Sequence, residues 1–259
     1  MTHQPKHKHW QAIKAYFDKN IAITEHGFTE EAFYEDDMNM SVVYERLRDI
    51  WTEVVTLQFS TVRKEYYLIN VFYYVFSEEV NNILKEAGVE TMTNSRFVDK
   101  VTPERATILK YPDFDFKKNN ELRSKFITNP SAIYSKGKFL GDWCADVVEY
   151  TNSYLEEMVY PTFARTVSYR QVAEELIDNV PVGERYHCIG SKYSEPKQLA
   201  VLGLAGEKHF RRNKDEIFAY IRKMAEEYEY ESVRKSFKEI EPVCHRVCQM
   251  MEDRFKRET

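Results

Sequence analysis

Near the C-terminus the segment EIEPVCHRVCQM packs Cys244, His245 and Cys248 into five positions. Thiolate sulfur and imidazole nitrogen are the usual ligands of zinc, and a thiolate is also a nucleophile. Two chemistries follow from that pattern. In the first, Cys244 and Cys248 stand one helical turn apart and chelate from one face, with His187 and Cys188 of an earlier segment completing a tetrahedral zinc site. In the second, Cys244 acts alone as an attacking thiol. A structural reading competes with both. Val233, Phe237, Ile240, Cys244, Val247, Met251 and Phe255 recur at steps of three and four, which is an apolar helical stripe, and a free cysteine on such a stripe behaves as a small hydrophobe. His245 then falls off the stripe toward Lys238, Glu241 and Glu252.

A second set of residues suits a hard cation. KYPDFDFKKN carries Asp113, Asp115 and Lys117, with Asp99 upstream. Carboxylate oxygens hold Mg²⁺ and a neighbouring lysine positions water, the arrangement used by metal-dependent nucleases. A third set suits phosphate. Lys208, Arg211, Arg212 and Lys214 cluster in KHFRRNK, after the stretch TVSYRQVAEEL that resembles the start of a winged-helix module. Glu174, Glu175 and Asp178 on that same stretch oppose a polyanion, as does the net charge of −5 from 42 acidic and 37 basic residues. The sequence has no glycine-rich phosphate loop, no G-x-S-x-G, no H-E-x-x-H and no EF-hand loop, so the common nucleotide-dependent and hydrolase classes lose ground.

The elements that must position these residues read as helices. A first helix is expected over Lys8 to Asn20, followed by an acidic segment from Thr29 through Asp37. Val43, Leu47, Ile50, Trp51, Val54 and Leu57 give a helical stripe over Ser41 to Phe59. A further helix is expected over Thr61 to Ala87, ended by Gly88, with YYLINVFYYVF as its buried centre. Periodicity fades from Gly88 to Leu140, which reads as a linker, an irregular insertion or a small β element. Asp142 fits the cap of a helix to Tyr160 stopped by Pro161, and Ser168 the cap of another to Val180. Residues 185 to 204 read as a β-hairpin or winged element. Asn213 with Glu216 resembles a capping box for a helix to Tyr230, and a last helix spans Ser232 to Lys256.

The expected fold class is therefore mainly α, a helical bundle-like core with a small β element near residues 185 to 204. Residues 1 to 88 form a helical N-terminal part, 89 to 140 an irregular connection, and 141 to 259 a helical C-terminal part, or all three one continuous domain. Four cysteines without a secretory leader, and no run of 18 apolar residues, predict a cytoplasmic protein with no membrane partner. The expected function is regulatory or interaction work through aromatic-rich helical surfaces, consistent with 18 Tyr and 16 Phe, with protein as partner, nucleic acid as a second one, and self-association open. The alternative is a metal-dependent, nuclease-like enzyme or a thiol-dependent one. No cofactor is required by the sequence; zinc or magnesium would serve the alternative.

Overall fold

The computed structural model describes residues 7–62, 65–89, 107–110, 133–134, 139–165, 168–178, 180–185 and 193–258. Most of these are helical, as expected, but the N-terminal part is not a bundle. After α1 (Lys8–Asn20) and a 3₁₀ turn (Ala22–His26) come four strands, β1 (Thr29–Glu35), β2 (Asn39–Arg48), β3 (Trp51–Val62) and β4 (Glu65–Phe76). They run in a sheet of order β1-β2-β3-β4-β5, where β5 is Thr107–Lys110, and β6 (Ile133–Tyr134) also pairs with β4. The helix expected over Ser41 to Phe59 is thus strand, that expected over Thr61 to Ala87 is strand as far as Phe76 and helix only from Glu78, and the β element is far larger than a hairpin.

The reason lies in side-chain chemistry. Val42, Val43, Val54, Val55, Thr52, Thr56 and Thr61 are β-branched and favour a pleated backbone over a helix. The expected stripe also contained Leu47 and Ile50, which flank the β2–β3 turn at Asp49 and stand 80% and 45% exposed. In β4 the neighbours Tyr73, Tyr74, Val75 and Phe76 are all buried, so that stretch shows neither period.

By density of internal contact the chain divides into two units, Met1–Tyr74 with Asp113–Phe163, and Val75–Pro112 with Ala164–Thr259. In the first, α1 packs on the sheet through Trp10, Ile13 and Phe17, the last meeting Phe59 edge to face at 5.0 Å. Lys14 is buried there between Glu30, at 2.7 Å, and Asp18, at 2.8 Å. Helix α3 (Leu140–Tyr154) carries Asn152, whose side chain accepts from the Ala22 N–H and donates to the Asn20 carbonyl, tying off the end of α1. A wide π turn (Leu155–Val159) leads straight into α4 (Tyr160–Arg165), so Pro161 does not stop the helix. The wider turn frees the carbonyl that a proline in a regular α-helix would strike.

The second unit is helical. Ser77 caps α2 (Glu78–Glu86), its hydroxyl accepting from the Val80 N–H and sharing a hydrogen bond with Tyr169. Gly88 ends α2 at φ +89°, as its sequence position predicts. Ser168 caps α5 (Tyr169–Val172), which widens into a π turn through Ile177. Then follow α6 (Ser194–Ala205), α7 (Glu207–Glu227) and α8 (Glu231–Glu258).

Helix α6 stands where the second arm of the β element expected over residues 185 to 204 would lie, while residues 186–192 are outside the described ones. Nearly every side chain from Ser194 to Ala205 is buried, so the helix has no polar face and its sequence shows no helical period. It is the axis of the unit, wrapped by α2, α5, α7 and α8. Asn213 is likewise no cap: α7 begins six residues earlier, and Asn213 lies buried within it.

Candidate functional site

Helices α7 and α8 form an antiparallel αα-hairpin, and most of the residues singled out in the sequence fall on it. The stripe of α8 divides into two halves. Val243, Cys244, Val247, Cys248, Met251 and Phe255 are buried against α6 and α7, whereas Val233, Phe237 and Ile240 remain half-exposed. On the buried half, Glu195 of α6 lies near Cys244 and Gly203 of α6 against Met251. In the distal half Ile221 and Ala225 of α7 are still buried, and Tyr220 meets Phe237 edge to face at 5.8 Å.

Both cysteines of the opening segment lie on the covered half. Cys244 is fully buried, and desolvation, with Glu195 nearby, pushes its thiol far above the ordinary range. Burial likewise pushes the Cys248 thiol up to about 12, with Lys214 acting in the opposite direction. A thiol held protonated is a poor nucleophile at neutral pH. Cys144, in the first turn of α3, is buried and raised to about 12 by desolvation as well. His187 and Cys188 lie outside the described residues, as do Asp99, Asp113, Asp115 and Lys117. Among the described residues no three His, Cys, Asp or Glu side chains gather as a metal would need.

His245 sits on the other side of α8, facing a groove of about 450 Å³ between the two helices. Its ring lies on Phe218 at 4.6 Å, with an ion pair at each end of the seam, Lys214 with Glu252 at 2.7 Å and Arg222 with Glu241 at 3.5 Å. The hydrogen bond with Glu252 raises the Lys214 pKa and lowers that of Glu252. The basic cluster is largely spent on such pairs. Arg211 pairs with Glu207 and Arg212 with the buried Asp178, leaving Lys208 alone of the four without a recorded partner among the described residues.

The buried polar groups of this unit went unnoticed in the sequence. Arg185, 2% exposed, donates to the Val180 carbonyl at 2.7 Å, to Gln198 at 3.3 Å, and to Asn213 and Glu216 at 3.2 and 3.1 Å. Asp178 accepts from Asn213 at 2.7 Å and faces His209 Nδ1 at 3.0 Å. Every arm of this network ends on a partner, which suits a clamp joining α6, α7 and the preceding loop.

The tip of the hairpin differs from its body. Tyr228 and Tyr230 are 37% and 59% exposed, their rings 6.1 Å apart. Glu226, Glu227, Glu229 and Glu231 surround them, all exposed, and none has a hydrogen bond or ion pair among the described residues. Arg234 donates its guanidinium to the Tyr228 carbonyl at 3.0 Å. The alternation in EEYEYE was the available signal, since two aromatic residues set between glutamates at a helix break have no core to enter.

No helix among the described residues is long and apolar enough to cross a membrane. Compared with known proteins, the chain matches no family model, no curated protein and no solved structure.

Proposed function

We propose that this chain is a non-enzymatic cytoplasmic interaction protein, taking a partner protein along the distal half of the α7–α8 hairpin. The observation that carries the reading is the division of one stripe. The same apolar spacing runs the length of α8, yet only its C-terminal half is buried, leaving Val233, Phe237 and Ile240 half-exposed beside two exposed tyrosines. Aromatic and aliphatic side chains left at a helix surface are the usual anchors of helix-in-groove recognition. The thiol-enzyme alternative loses support because the described cysteines are buried and their thiols raised. Nucleic-acid association loses support because Arg211, Arg212 and Lys214 already face carboxylates. The metal-dependent alternative rests on residues outside the described ones.

The test is site-specific photocrosslinking of the full chain in cells, with the reactive residue at Phe237 or, as control, at the outward Lys235, which is 78% exposed. A discrete adduct is expected from position 237 alone, competed away by unmodified protein and not by Phe237→Asp protein. Equal adducts at both positions, or none, would overturn the reading.

A further inference from the structure

Resting on the interaction reading above, we infer that the partner segment docked on the distal hairpin is rich in lysine or arginine. The inference comes from where charge is balanced and where it is not. Along the body of the hairpin, four carboxylates are matched by cations of the same unit, Glu207 by Arg211, Glu216 by Arg185, Glu241 by Arg222, and Glu252 by Lys214, with Asp215 the exception. At the tip the matching stops. Glu226, Glu227, Glu229 and Glu231 stand within six residues, exposed and without a side-chain hydrogen bond or ion pair among the described residues, and they outnumber the adjoining Lys223, Arg234 and Lys235.

Three features there favour the same partner chemistry. Four carboxylates within a short span create a negative potential that attracts and orients a cationic segment. The exposed faces of Tyr228 and Tyr230 carry the negative end of a ring quadrupole, to which guanidinium and ammonium groups bind. The adjoining apolar side chains Val233, Phe237 and Ile240 offer a floor for aliphatic residues, and for the methylene stems of lysine and arginine. An acidic segment would be repelled at the tip, and a purely apolar one would leave the carboxylates unanswered.

The partner is thus a protein segment with an apolar side flanked by basic residues, crossing the stripe and ending on the tip. A fluorescein-labelled amphipathic peptide, leucines on one side and lysines and arginines flanking them, tests this against the full chain. Its control keeps the leucines and replaces the basic residues by glutamate. Binding of the basic peptide alone is expected, weakening as salt screens the charges. The exposed quadruple variant Glu226→Gln, Glu227→Gln, Glu229→Gln, Glu231→Gln is expected to weaken it by about tenfold. Tyr230→Ala is expected to weaken it in the same direction. Equal binding of both peptides, or unchanged binding by the quadruple variant, would overturn the inference. If the basic peptide fails while the position-237 adduct persists in cells, the docking face stands and only its charge preference falls. Loss of both removes the face itself.

Discussion

Gly203 of α6 lies so close against Met251 of α8 that a β-carbon at position 203 would collide with the methionine side chain. The glycine sets the distance between the central helix and the helix that bears the docking stripe. Gly203→Ala therefore forces the helices apart, and overpacking of this kind costs about 1–3 kcal/mol. Chemical denaturation would read the loss. Pairing Gly203→Ala with Met251→Ala is expected to be less damaging than the sum of the two changes, because the second makes room for the first.

The two halves of the α8 stripe carry different weight. Val247→Ala, in the covered half, is expected to cost about 2 kcal/mol through the cavity it leaves. Phe237→Ser, in the half-exposed half, is expected to cost less while losing the ability to compete away the position-237 adduct. Parallel urea titrations of the two variants check the ordering, and a larger loss for Phe237→Ser would move that residue into the core.

Cys144, Cys244 and Cys248 are all free and buried. Thiol titration of the native protein should leave these three unlabelled near neutral pH and release them together on unfolding. Replacing each in turn by serine assigns the signals, and rapid native labelling that disappears in Cys248→Ser would revive a thiol chemistry.

The seam pair Lys214–Glu252 gives a pH dependence of known sign. The lowered pKa of Glu252 contributes stability that is present above its unfolded pKa and is lost as pH falls through the folded value. The raised pKa of Lys214 contributes stability below its unfolded pKa, and loses it as pH rises through the folded one. Lys214→Met should flatten both limbs. Unfolding midpoints at acid, neutral and alkaline pH are the measurement.

Arg185 supplies donors to three buried or backbone acceptors, and its charge meets Glu216, which is 56% exposed. Arg185→Ala strands those acceptors and is expected to cost about 3 kcal/mol. Glu216→Gln removes only the partly solvated partner and is expected to cost under about 1 kcal/mol. Thermal unfolding of the two variants separates a hydrogen-bonding clamp from a simple ion pair.

What could be read from the sequence follows how each element meets solvent. Helices α1 and α8 each have one buried and one wet side, so their spacing announces them, α1 with its observed ends and α8 within two residues at each end. The end of strand β4, Tyr73 to Phe76, and most of helix α6 are buried on both sides, and an apolar run without period reads equally well as either element. For β2 and β3, counting three- and four-residue steps gave Leu47 and Ile50 the weight that the β-branched residues should have received. Within the site, the stripe containing Cys244 was legible because spacing alone defines it. Its division was not, since α6, which packs on the buried half, is distant in sequence from Val233 and itself misread. Arg185 and Asp178 were hidden for the same reason: their partners Asn213 and Gln198 lie on helices whose packing no local pattern encodes.

Because α6 has no side turned to water, its amide groups can meet solvent only when the helices around it come away. Hydrogen exchange along Leu199 to Leu202 should therefore be the slowest in its unit and track the unit's full unfolding free energy. The distal turns of α7 and α8 should exchange long before, by local fraying. The docking face would then be the part of the hairpin free to adjust its shape, hinged on an interior that moves only when everything does.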